Sequence, residues 1–163
     1  MKDQTCCFTG HRIIPLDQLE IVTQRLRDAI IDSIGKGYMY FGTGGALGFD
    51  MLAAQTVLSI KENYPYIKLI LVLPCTTQTK AWQQDKVKEY ERIKKTADKV
   101  VYTSQSYYNG CMHKRNRHLV DNSSLCICYL TRANGGTAYT VNYALKNGLT
   151  VINTAENMVY VPQ

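Results

Sequence analysis

Apolar residues follow two rhythms along this chain, and the two alternate. Short runs in which at least half the positions are apolar fall at residues 4–9 (QTCCFT), 38–43 (YMYFGT), 67–73 (IKLILVL), 99–102 (KVVY), 125–130 (LCICYL) and 149–153 (LTVIN). Such runs read as buried strands, and Pro74 ends the third. Between them, apolar residues recur three and four apart, the period of a helix with one buried face. Leu19, Val22, Leu26, Ile30 and Ile34 mark a helix over 16–36, and Leu52, Ala53, Val57 and Ile60 mark another over 49–63. Three more are predicted over 79–96, 111–122 and 137–146, the last closed by Asn147 and Gly148. Residues 104–110 form a Tyr-rich loop, and the tail after Thr154 carries no assignment.

Strands alternating with helices build βαβ units. Continuously apolar strands belong to a parallel sheet covered on both faces. With right-handed crossovers this is a Rossmann-like α/β fold, a three-layer α/β/α sandwich whose mostly parallel sheet has about six strands. No linker, repeat or low-complexity segment interrupts the 163 residues, so 1–163 is read as one domain.

Composition narrows the class. A 45% hydrophobic and 20% charged chain carries enough apolar residues for a core, which argues against disorder. No apolar run approaches the roughly 18 residues of a membrane span. The amino terminus turns polar soon after Cys6 and Cys7, unlike a secretory signal, so a cytoplasmic location is expected. The six cysteines include no C-x-x-C pair, and five sit in or beside apolar runs, where thiols act as small hydrophobes. No metal site or cofactor is called for, and Cys111 is the only candidate reactive thiol. Lys86, Lys88, Lys94 and Lys95 on solvated helices explain much of the net charge of +6. The cluster His113, Lys114, Arg115, Arg117 and His118 stands apart and points to an anionic partner.

In an open parallel sheet, ligands bind beyond the carboxyl ends of the strands, near the reversal of strand order. Four segments follow predicted strands there. The first is Thr9-Gly10-His11-Arg12. Gly10 permits a tight turn, and Arg12 offers a fork for phosphate or carboxylate beside His11. The second runs from Gly42 through Gly44, Gly45 and Gly48 to Asp50. Leu47 stands where the dinucleotide fingerprint needs glycine, and the Walker pattern is absent too. A glycine-rich turn into a helix remains, with Gly44 and Gly45 able to bring amides against a phosphate. Asp50 either caps that helix or meets a ribose hydroxyl. The third is the basic helix, where Cys111, Arg115 and His118 share one face and Lys114, Arg117 and Asp121 another. Arg115 is the expected inward group. The fourth is Gly135-Gly136-Thr137, a helix start whose N–H groups are open.

In order, Thr-Gly-His-Arg, Gly-Gly-Ala-Leu-Gly-Phe-Asp, Leu-Pro-Cys, a Trp-containing helix, Arg-Asn-Arg and Gly-Gly-Thr resemble the SLOG superfamily. That Rossmann-like group includes the LOG enzymes, the DNA-processing protein DprA and the YpsA-like proteins of the DUF1273 group. The YpsA-like branch is most similar, over essentially the full length. LOG enzymes cleave the N-glycosidic bond of nucleoside 5′-monophosphates. Their Met-His-x-Arg-Lys segment is similar to Met112-His113-Lys114-Arg115-Asn116, which implies a phosphate or ribose contact for Arg115 and puts Asn116 in place of lysine. Their Pro-Gly-Gly-x-Gly-Thr-x-x-Glu is matched by Gly135-Gly136-Thr137, with Thr140 where the catalytic glutamate would stand.

Glycosidic cleavage needs a carboxylate, which a threonine cannot replace. Asp50 and Asp121 are the candidate substitutes. The leading expectation is therefore a protein that binds or senses a nucleotide or an ADP-ribose-like derivative. The alternatives are a LOG-like hydrolase and a DprA-like single-stranded DNA binder. Aromatics do not interleave with the basic cluster as a stacking platform would, Tyr107 and Tyr108 being the nearest. Related folds often dimerise, so a homodimer is carried as an expectation of the resemblance.

Overall fold

The six apolar runs all become strands of one sheet. A computed structural model of the chain describes residues 1–156 and, as backbone, the strand Met158–Tyr160. The strands are β1 (Thr5–Gly10), β2 (Tyr40–Thr43), β3 (Lys68–Leu73), β4 (Lys99–Tyr102), β5 (Leu125–Tyr129), β6 (Thr150–Asn153) and β7 (Met158–Tyr160). Their order across the sheet is β4-β3-β2-β1-β5-β6-β7. The first six are mutually parallel, and β7, from the tail that the sequence left unassigned, pairs antiparallel to β6. A three-residue strand is too short to show a hydrophobic period, so its pairing comes from the neighbour.

Helices cover both faces: α1 (Leu16–Gly35), α2 (Phe49–Lys61), α3 (Gln84–Thr96), α4 (Cys111–Asp121) and α5 (Gly136–Lys146). Side chains alternate across the pleat. Cys6, Phe8, Leu125, Ile127 and Tyr129 face α1 and α2, where Val22, Leu26, Ile30, Phe49, Val57 and Ile60 complete one core. Tyr90 and Ile93 of α3 join it. Cys7, Cys126 and Cys128 face the other way, onto Leu119 and Val120 of α4 and Val141 and Ala144 of α5. All six cysteines are buried and free, Cys111 included at 0% exposure, which removes it as a reactive thiol. Among the described residues no helix is long and apolar enough to cross a membrane, and no cluster of metal-ligating side chains forms.

One helix starts late. The pattern predicts a helix from residue 79, but residues 76–82 form successive turns and α3 begins at Gln84. Thr76, Thr77 and Thr79 are poor helix formers. The Thr76 N–H and hydroxyl both donate to the Gln105 carbonyl, at 3.2 and 2.8 Å, which ties this segment to the loop before α4.

The strand order locates the site. From β1 the chain builds outward through β2, β3 and β4, then α4 carries it back to place β5 on the other side of β1. The switch point, where the crevice opens, lies between the carboxyl ends of β1 and β5.

Candidate functional site

A cleft of about 330 Å³ occupies that switch point. Four pieces of chain wall it: Thr9 to Ile13 at the end of β1 and beyond it, Ala46 and Asp50 before and within the first turn of α2, Met112, Arg115 and Asn116 of α4, and Arg132 with Gly136 and Thr137, the first residues of α5. The switch point thus gathers three of the four segments almost as the sequence suggests, and the glycine-rich one differently.

The loop after β1 is fixed first. Phe49, the first residue of α2, donates its N–H to the His11 carbonyl at 3.1 Å and stacks on Tyr129. His11 is buried and accepts the Thr131 N–H on Nε2 at 2.9 Å, tying the loop after β1 to the loop after β5. Burial, aided by the Arg132 charge, holds its imidazole below the usual histidine range, so it sits neutral as an acceptor. His11 therefore builds the wall of the cleft, while Arg12 stands exposed at its mouth.

Arg115 projects inward from α4 and is only 4% exposed. Its Nη1 donates to the Gly44 carbonyl, its Nε to Asn116 Oδ1 at 2.7 Å, and its Nη2 faces Met112 Sδ at 3.8 Å. Among the described residues no carboxylate oxygen lies within 4.0 Å of it. Desolvation weakens its hold on the proton and the nearby Asp50 charge restores part of it. A guanidinium stays charged under such pressure.

The glycine-rich segment serves the arginine. A Cβ at residue 44 would run into the Arg115 guanidinium, and one at residue 45 into Leu73. Gly48, at φ +82°, lies so close to the Arg12 backbone that no side chain fits. Gly44 and Gly45 are buried outside the cleft lining. Their absence of side chains clears room for Arg115 and for the core rather than for a ligand.

Asp50 is 6% exposed and lines the cleft from the first turn of α2. Its Oδ2 accepts the Ala46 N–H at 3.2 Å. Burial outweighs the pull of the Arg115 charge, that hydrogen bond and the Arg12 charge, and pushes its carboxyl up to about 6. Asp121 is elsewhere: it ends α4 at the amino end of the sheet and accepts the Tyr143 hydroxyl at 2.6 Å. It does not join Asp50.

At the start of α5 no side chain caps the helix, and Gly135 before it takes φ +96°. The first helical N–H groups, at Gly136 and Thr137, have no intrahelical partner and lie in the cleft wall. Thr140 is buried, donates its hydroxyl back to the Gly136 carbonyl at 2.9 Å, and is not among the residues that line the cleft. Arg132, on the same loop, was not singled out by the sequence. Its only signal is that it follows a buried strand by three residues. Arg12, Arg115 and Arg132 set three guanidinium groups against the one carboxylate of Asp50. With open amides at a helix start, the cleft presents the charge and the donors that an anion would need.

Comparison with known proteins agrees on the architecture. The chain is 31% identical over 121 residues to the SPbeta prophage-derived protein YoqJ of Bacillus subtilis, covering 67% of this chain and 71% of that one. It is 26% identical to a UPF0398 protein of Brevibacillus brevis, covering 73% of this chain and 64% of that one. Among solved structures, DNA processing protein A from Streptococcus pneumoniae superposes with a TM-score of 0.68 at 15% identity, over 92% of this chain and 50% of that one. The Helicobacter pylori protein, whose structure concerns its single-stranded DNA binding mode, superposes with a TM-score of 0.66 at 17% identity, over 92% of this chain and 64% of that one. The chain thus spans about half to two thirds of those larger proteins, and the likeness is one of fold. The family model for the YpsA group, described as the YspA SLOG family, matches residues 6–156, and the chain belongs to that family.

Proposed function

We propose that this cleft binds the phosphate of a nucleotide or of an ADP-ribose-like derivative, and that the chain is a binding or sensing protein. Arg115 carries the reading. A guanidinium 4% exposed with no carboxylate within 4.0 Å, among the described residues, is a buried charge without a contacting counter-ion, tempered by the nearby Asp50. Such a charge is costly until a counter-ion arrives. A phosphate between Arg115, Arg12 and the Gly136 and Thr137 amides would supply it. Membership of a SLOG family agrees with a nucleotide-type ligand. Six buried free thiols without a disulfide fit a reducing compartment, so the ligand would come from the cytoplasmic pool.

Calorimetric titration with AMP and with ADP-ribose tests this. Charge-assisted hydrogen bonds are worth about 1.5–3 kcal/mol, so Arg115→Met should weaken either ligand by about tenfold or more. Equal affinity in both proteins would remove Arg115 from the account. An oligothymidylate run alongside addresses the single-stranded DNA reading, which predicts tight binding with a steep salt dependence.

One observation favours a second reading, hydrolysis of the N-glycosidic bond. Asp50 lines the same cleft with its carboxyl near 6, so both protonation states are accessible around neutral pH. Release of free adenine from AMP, abolished by Asp50→Asn, would establish it. AMP that binds and is recovered intact would leave binding alone.

A further inference from the structure

The anion cleft is not closed at its outer end. It runs into a second cavity of about 690 Å³, and the two share Arg12, Ala46 and Met112. The second has a different chemistry. Trp82, Tyr107 and Leu47 wall it, and Thr77, Gln78 and Lys80 join Arg12 as its polar members. We propose that this cavity is the base subsite: a ligand whose phosphate meets Arg115 passes over Arg12 and lays its nucleobase against Trp82 and Tyr107. This rests on the phosphate reading above and adds the part of the ligand that reading leaves open.

Three features support a built seat. Trp82 is half-buried and held edge-on by the ring of Tyr90, at 5.3 Å and 85° between planes. Tyr90 is itself buried and donates its hydroxyl to Gln78 Oε1 at 3.4 Å, while Gln78 Nε2 donates at 3.4 Å to the same Gly44 carbonyl that holds Arg115. The two ends of the groove therefore hang on one carbonyl. Tyr107 is 65% exposed, and among the described residues its ring meets no other aromatic. The segments that carry Trp82 and Tyr107 are joined by the two hydrogen bonds from Thr76 to the Gln105 carbonyl, so both aromatics belong to one unit. A pair of aromatic walls one short step from a phosphate receptor suits any base, because every base has a π-face.

Trp82 is the only tryptophan, so its emission reads the subsite directly. AMP and ribose 5-phosphate, which differ by the base, are titrated by calorimetry and fluorescence into the native protein, Trp82→Leu and Tyr107→Ala. Expected is a change in Trp82 emission with AMP and none with ribose 5-phosphate. Each variant should lose about tenfold in AMP affinity and keep its affinity for ribose 5-phosphate. AMP binding that leaves the emission unchanged, with equal affinity in native protein and both variants, overturns the base subsite. Ribose 5-phosphate that fails to bind while AMP still perturbs Trp82 overturns the phosphate reading instead. Tyr107→Ala alters an exposed loop residue and keeps the test open if Trp82→Leu does not fold. An oligothymidylate weakened by the same variants would identify the base as one borne on single-stranded nucleic acid rather than on a free nucleotide.

Discussion

Arg115 is held by the backbone carbonyl of Gly44, not by Asp50, although both charged side chains line one cleft. A direct ion pair would have spent the guanidinium inside the protein. The carbonyl positions it and leaves its charge without a contacting carboxylate. Asp50 remains close enough to feel that charge, which tempers the effect of its own burial.

That seat depends on residue 44 having no side chain. Gly44→Ala places a methyl group where the guanidinium lies. Chemical denaturation should show a loss of about 1–3 kcal/mol as the arginine is pushed off its seat. AMP affinity should fall by about tenfold in the same variant, the value of one charge-assisted contact. A variant as stable as the native protein, with unchanged AMP binding, would show that the guanidinium has another place to go.

The Asp50 carboxyl, raised from 3.8 to about 6, gives a pH signature. Between those values the folded state keeps a proton that the unfolded chain releases. Stability from this group is thus present at low pH and declines as pH rises through about 6, by roughly 3 kcal/mol at most. Asp50→Asn mimics the protonated form, so its stability should be flat in that respect from pH 4 to 7. Thermal melting of both proteins across the range checks the slope. The same substitution removes a negative charge from an anion receptor, so AMP should bind Asp50→Asn more tightly than native protein at pH 8.

His11 acts in the opposite sense. Its imidazole titrates below the usual 6.5, so the unfolded chain takes a proton first as pH falls. The stability it contributes is present above 6.5 and is lost as pH drops through its lowered value. Protonation also ends its role as acceptor for the Thr131 N–H. His11→Gln, whose amide oxygen approximates the position of Nε2 and does not titrate, should weaken this acid sensitivity, and amide exchange at Thr131 should report it.

The thiols make a plainer prediction. A thiol-reactive disulfide reagent should find none of the six cysteines in the native protein and all six after unfolding. Fast labelling of Cys111 in native protein would show that α4 opens at its first turn.

Much of this was legible in the sequence. Buried strands announce themselves by unbroken apolar runs, and α1 and α2 by their three-and-four spacing, because both patterns are local. Arg115 was legible as the inward group because it shares a helix face with Cys111 and falls on the arginine of the LOG-type segment. The role of Gly44 was not. A glycine cleared for a phosphate and one cleared for an arginine 71 positions later read alike until the partner is placed. The Trp82 segment reads as helix from residue 79 for a related reason: the hydrogen bonds from Thr76 to the Gln105 carbonyl, which tie it to a distant loop, leave no local signal. Asp121 and Asp50 looked equivalent as carboxylates, and only the direction of α4 across the sheet separates them.

If the cleft at the β1–β5 switch point recognises phosphate, the presence of the phosphate group should decide affinity. Paired calorimetric titrations of the native protein with AMP and with adenosine isolate that group. AMP is expected to bind, and adenosine to bind at least about tenfold more weakly. Adenosine binding as well as AMP, or no binding of AMP at all, would contradict phosphate recognition.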